Sequence, residues 1–110
     1  MLERLRQVAF LVKDLEEGKE LYRRHLGMET CHSENLTNYG LLNAVLPAGA
    51  GTFIELLQPT SEESAAARYL ERRGEAPYML IFETSEYDRL IPNLKSMGVR
   101  LSEEPGTDDY

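Results

Sequence analysis

The sequence predicts an α+β domain of paired β-α-β-β-β modules, with the second module truncated to about β-α-β. Three observations predict it. Short apolar strands with period-two alternation are interleaved with helix-like segments. A strand, a helix and a closing glycine occur twice in the same order. The chain has 110 residues, one domain's length.

Taken in order, residues 5–12 read as a strand with Val8, Phe10 and Val12 on one face and Gln7, Ala9 and Leu11 on the other. A helix follows, capped by Asp14 with Glu17 three residues on, and stopped at Gly27. Its apolar residues are Leu15, Leu21, Tyr22 and Leu26, and Arg23, Arg24 and His25 suit the dipole of its last turn. Residues 28–33, 39–46 and 52–58 read as three more strands, the last ended by Pro59. Thr60 and Glu63 have capping-box spacing for a second helix that stops at Gly74. Residues 77–84 return to strand. Ser85 caps a third helix reaching Met97, whose regular part is expected to begin near Pro92 because proline disrupts a helix interior. Residues 99–102 make a short last strand, and the acidic tail is expected to fray. One domain therefore spans 1–110: module one at 1–59, a linker helix at 60–75, a partial module two at 76–104 and a tail at 105–110.

The repeat aligns Gln7 with Met79 and Phe10 with Phe82. Gln7 to Gly27 is 20 residues and Met79 to Gly98 is 19, but only 12 residues follow the second glycine, against 32 from Gly27 to Pro59. The expected helix–sheet core is Val8, Phe10, Val12, Leu21, Leu26, Ile54, Leu56, Leu80, Phe82 and Leu94, one face of each strand with the matching helix faces.

Composition narrows the function. With 12 basic and 19 acidic residues the net charge is −7, which repels phosphate backbones and argues against a nucleic-acid partner. Arg68, Arg72 and Arg73 are a local exception, read as complementing a helix dipole. No stretch approaches the ~20 apolar residues of a membrane span. The N-terminal apolar run, Val8 to Val12, is too short for a signal peptide. The single cysteine, Cys31, allows no internal disulfide and reads as buried filler, and a reducing cytoplasm fits. His25 reads as a solvated helix-end residue. His32 and Cys31 are adjacent, so on a strand they point to opposite faces and share a metal poorly.

Five fragments then carry a resemblance: Gln7 to Glu17, Leu21 to Met28, Ile54 to Pro59, Leu70 to Glu75 and Leu94 to Leu101. Together they resemble the vicinal oxygen chelate (glyoxalase/bleomycin resistance) superfamily, and most closely its methylmalonyl-CoA epimerases and glyoxalase I. The resemblance implies two modules whose curved sheets cup a small molecule and a divalent metal held by one ligand from each of four strands. It places Gln7 and Glu55 at two metal positions. The third, a histidine in the family, is Met79, and a thioether is a poor ligand for hard divalent ions. The fourth has no counterpart. The expectation is therefore no tightly bound cofactor, and at most a weakly held divalent metal.

Glu55 is the catalytic candidate. In an apolar cleft its proton affinity would rise, which suits a general base; without the resemblance it reads as a solvent-face glutamate. Leu11, Phe53, Leu57, Met79, Ile81 and Glu83 share the cleft face and are the ligand-binding candidates, with Glu83 otherwise the polar end of its strand. Tyr39, Tyr78, Tyr87 and Phe53 border a pocket or belong to an aromatic core. The main reading is a protein binding a small acyl or thioester-like molecule with a degenerate metal site. The alternative is a metal-dependent lyase or epimerase acting by proton abstraction beside a carbonyl. A third is a site completed by strands from another chain. A homodimer is expected, because an unfinished module leaves an open sheet edge.

Overall fold

A computed structural model of the chain describes residues 1–102. The tail at 105–110 and the last two residues of the partial module lie outside the described residues. The elements are β1 (Arg4–Leu11), α1 (Leu15–Leu26), β2 (His32–Leu36), a 3-10 turn at Thr37–Tyr39, β3 (Leu41–Pro47), β4 (Phe53–Pro59), α2 (Ala65–Arg73), β5 (Ala76–Glu83) and α3 (Tyr87–Ser96). The strands form one sheet in the order β2-β3-β4-β1-β5. Strand β1 pairs in parallel with β4 and antiparallel with β5, so it joins the two modules.

Helix α1 forms where its caps lie. The Asp14 carboxylate accepts from the Glu17 N–H at 3.0 Å, and Gly27 closes the helix at φ 66°, a left-handed conformation that costs a residue without Cβ little. It packs close to the sheet through Gly18, where an added Cβ would stand 3.3 Å from Leu56 Cδ1. Its sheet-facing stripe is Leu15, Gly18 and Tyr22. Leu21 lies ~120° round the helix from Leu15, which is why it is 55% exposed rather than core, and Leu26 in the last turn is 66% exposed.

The core has two sides. On the outer face Val12, Leu15, Ala44, Leu46 and Leu56 are buried, with Phe10, Tyr22 and Ile54 packed against them. On the inner face Ala9, Leu11, Leu41, Leu57 and Ala66 are buried beside Tyr69, Leu70 and Tyr78. The strand faces are as expected, with Val8 and Leu94 half-buried. The second module differs: Leu80 is 60% and Phe82 48% exposed, so neither joins the core among the described residues. The reason is that β5 is an edge strand, and α3 packs only sparsely on it.

Four local expectations are corrected. Strand β2 begins at His32, because alternating polar residues at the sheet edge, Ser33 to Asn35, pair regularly with β3. Helix α2 starts after Ser64, whose hydroxyl accepts from the Ala67 N–H at 3.1 Å, and Thr60 instead donates its own N–H to Gly40 O. Helix α3 runs through Pro92 from Tyr87 with Glu86, not Ser85, at its N-cap. Residues 99–102 form no strand. Among the described residues no helix is long and apolar enough to cross a membrane.

Candidate active site

Three polar side chains meet on the inner face of a sheet otherwise lined with aliphatic groups. Gln7 of β1, Asn43 of β3 and Glu55 of β4 are 1%, 2% and 4% exposed. Alternation puts them there. Gln7 shares its face with Ala9 and Leu11, Asn43 with Leu41 and Val45, and Glu55 with Leu57. Gln7 Nε2 donates to Glu55 Oε1 at 3.1 Å and Asn43 Nδ2 to Glu55 Oε2 at 2.9 Å, so each carboxylate oxygen accepts one amide hydrogen. The Asn43 amide is itself fixed, because its Oδ1 accepts the Glu34 N–H at 2.8 Å and leaves only Nδ2 to face Glu55.

Burial is the largest influence on the Glu55 carboxyl and pushes its pKa above the ordinary carboxylate value. The Asn43 hydrogen bond, the nearby His32 and the Gln7 hydrogen bond pull it back, while Glu34 adds to the rise. His32 Nε2 lies 3.1 Å from Glu34 Oε1 at the edge of this cluster.

Glu55 forms part of the wall of a cavity of about 600 Å³. Leu36, Leu41, Leu57, Tyr78 and Met79 line it too, and Ala65 and Ala66 of α2 form its other wall. The structure thus brings together Glu55, Leu57 and Met79 among the sequence candidates, with Gln7 hydrogen-bonded behind Glu55. Leu11 is fully buried in the inner core. Phe53 is half-buried, with the Arg6 guanidinium 5.1 Å from its ring centroid. Ile81 is half-buried opposite Gln7 in the β1–β5 pairing. Glu83 pairs with Arg4 at 3.1 Å and Arg6 at 3.2 Å, and hydrogen bonding from Arg4 first of all holds its carboxyl below the usual range. Tyr39 and Tyr78 both border the cavity. Cys31 is exposed rather than buried, its Sγ donating to Val45 O at 3.3 Å.

Asn43 was not legible as a site residue. The available signal was a single amide inside the apolar run Leu41 to Leu46, where a buried polar group needs a partner. Its role yields a prediction. In Asn43→Asp the introduced carboxyl keeps the Glu34 N–H but places a second acid within hydrogen-bond distance of Glu55. Two such carboxyls share a proton, so the titration of the site seen by carboxyl-selective NMR should move to higher pH. An unchanged titration would mean that the two groups do not touch in solution.

The Glyoxalase/Bleomycin resistance protein/Dioxygenase superfamily model matches residues 4–110. An ethylmalonyl-CoA/methylmalonyl-CoA epimerase of Cereibacter sphaeroides is 32% identical over 102 residues, covering 92% of this chain and 75% of that protein. The mitochondrial methylmalonyl-CoA epimerase of Bos taurus is 30% identical over 94% of this chain, which spans only 59% of that protein. Among solved structures, a single-site variant of Streptomyces coelicolor methylmalonyl-CoA epimerase in complex with 2-nitronate-propionyl-CoA superimposes with a TM-score of 0.87. It is 30% identical, with 99% of this chain and 80% of that one covered.

Proposed function

Since the chain belongs to the glyoxalase/bleomycin resistance protein/dioxygenase superfamily, with methylmalonyl-CoA epimerases as its relatives, we propose that its cup takes a CoA thioester and exchanges the proton beside the thioester carbonyl. The carrying observation is Glu55, a buried carboxyl of raised proton affinity in the wall of a mainly apolar cavity. In this reading Glu55 takes the proton as the carbon–hydrogen bond breaks and the electron pair moves to the carbonyl oxygen as an enolate. Return of a proton to the carbon restores the thioester, and return to the opposite face inverts the centre. Gln7 and Asn43 hold the carboxyl in place. Leu57, Met79 and Tyr78 shield the reacting carbon from water.

The divalent metal implied by the family does not fit the donors present. Gln7 and Glu55 supply hard oxygen, Met79 supplies a thioether, and among the described residues no three His, Cys, Asp or Glu come together. Protein purified without chelators is expected to hold less than stoichiometric metal after dialysis. Metal that survives dialysis and disappears in Glu55→Ala would overturn this.

A second reading, binding without turnover, is favoured by one observation: both Glu55 oxygens already accept a hydrogen bond, which steadies the anion and weakens it as a base. Exchange of the α-proton for deuterium separates the two, since a pure binding protein leaves that proton in place.

The chain also pairs with itself in this account. Among the described residues strand β5 ends the sheet with an unpaired edge, and it carries exposed Leu80 and Phe82. Light scattering at micromolar concentration is expected to give a dimer mass, and a mass of 12.5 kDa unchanged on concentrating would contradict it.

A further inference from the structure

The cavity beside Glu55 has a wall without positive charge. Leu36, Leu41, Leu57, Ala65, Ala66 and Met79 supply hydrocarbon and one thioether. Tyr39, Tyr78 and Ser102 add hydroxyls, which donate hydrogen bonds but carry no charge. All 12 lysines and arginines lie at or before Arg100, within the described residues, and none of them lines this cavity. Residues 103–110 contain Glu103, Glu104, Asp108 and Asp109 and no basic side chain. His32 acts on Glu55 from nearby, but it is not part of the wall, and Glu34 Oε1 lies 3.1 Å from its Nε2. The one ionisable group of the wall besides the tyrosines is an acid, Glu55 itself.

This charge pattern bears on the acyl group that a thioester can bring into the cup. A carboxylate moved from water against such a wall loses its hydration and finds no counter-charge. It would also lie beside Glu55. Two carboxylates at short range in a poorly solvated site do not both stay ionised, so one of them takes up a proton. Burial already raises the proton affinity of Glu55, which makes Glu55 the one that takes it. A protonated Glu55 cannot accept the α-proton. An acyl group with a second carboxylate therefore weakens its own binding and keeps the base out of its working form. An uncharged acyl group does neither. Met79 suits such a group, because its flexible, polarisable thioether packs against alkyl chains of varied shape.

We infer that the cup selects thioesters of uncharged aliphatic acids, branched beside the carbonyl, over those that carry a second carboxylate. The branch supplies the centre that return of the proton would invert. This rests on the thioester reading and names the acyl class that the site serves. Methylmalonyl-CoA is still turned over, but at a higher concentration.

The test compares 2-methylbutyryl-CoA with methylmalonyl-CoA. The two share the carrier and the α-methyl group, and differ by an ethyl group in place of the carboxylate. Calorimetry would measure both against the wild type and Met79→Lys, with CoA alone as the reference for the carrier. The wild type is expected to bind 2-methylbutyryl-CoA at least about tenfold more tightly than methylmalonyl-CoA. Met79→Lys places a cation in the wall from an edge strand, where Met79 is 40% exposed. It should narrow that margin by binding methylmalonyl-CoA more tightly. Equal wild-type affinities, a wild-type preference for methylmalonyl-CoA, or an unchanged margin in folded Met79→Lys would overturn the selectivity and leave the thioester site standing. If neither thioester binds the wild type more tightly than CoA alone, the thioester reading falls, and the selectivity with it.

Discussion

Glu55→Gln is expected to lower α-proton exchange by at least about 10²-fold, the usual contribution of a positioned general base, while the chain stays folded. The substitution keeps the shape of the side chain and removes the group that carries the proton. Asn43 is fixed as a donor, because its Oδ1 is held by the Glu34 N–H at 2.8 Å, and the new amide oxygen can accept from it. Gln7 can rotate its amide to accept from the new amide nitrogen, so both contacts survive. Removing a charge from a buried site favours the folded state further. The pH dependence should change as well. Because burial raises the Glu55 pKa, the folded chain binds this proton up to a higher pH than the unfolded chain does. Stability therefore falls as pH rises from the ordinary carboxylate value through the raised one, and Glu55→Gln removes this decline. Exchange in the wild type should instead rise across that interval, as the carboxyl becomes the base. Denaturation curves and exchange rates over the acid-to-neutral range measure both, and a variant with wild-type exchange would remove Glu55 from the chemistry.

Leu56→Ala is expected to cost about 2–5 kcal/mol, the range for truncating a fully buried leucine, and Phe82→Ala less than about 1 kcal/mol, as at exposed positions. Leu56 is 0% exposed and stands against Gly18 of α1, where the helix approaches the sheet too closely for the gap to close readily. Phe82 holds the corresponding place to Phe10 in the repeat, yet it is 48% exposed on the edge strand. Urea denaturation of the two variants, at concentrations too low for the chain to pair, checks the contrast. Equal large losses in the monomer would show that Phe82 packs within one chain.

The strand faces of module one were legible because period-two alternation is unambiguous in Val8–Phe10–Val12 and in Glu55–Leu57. The caps of α1 were equally plain from Asp14, Glu17 and Gly27. The exposure of Leu80 and Phe82 was not legible, since alternation identifies a face but not whether anything packs on it. Strand β2 was misplaced by hydrophobicity because an edge strand can be polar and still pair fully. At the site, Glu55 and Gln7 were readable from their faces and the family resemblance. Their contact with Asn43 depends on register: Asn43 lies opposite Leu57 and reaches Glu55 along the β3–β4 ladder. That register comes from the turn between the strands and from packing, and no motif records it.

The central claim, that the cup exchanges the proton next to a thioester carbonyl, is tested most directly by incubating the wild-type chain with methylmalonyl-CoA in D₂O and following the α-proton by NMR. The account predicts that the signal decays faster than in a protein-free control, saturates with substrate, and is slowed by 2-nitronate-propionyl-CoA. Saturable binding with an α-proton signal that decays no faster than the control would contradict it, and the chain would then be a thioester-binding protein without turnover.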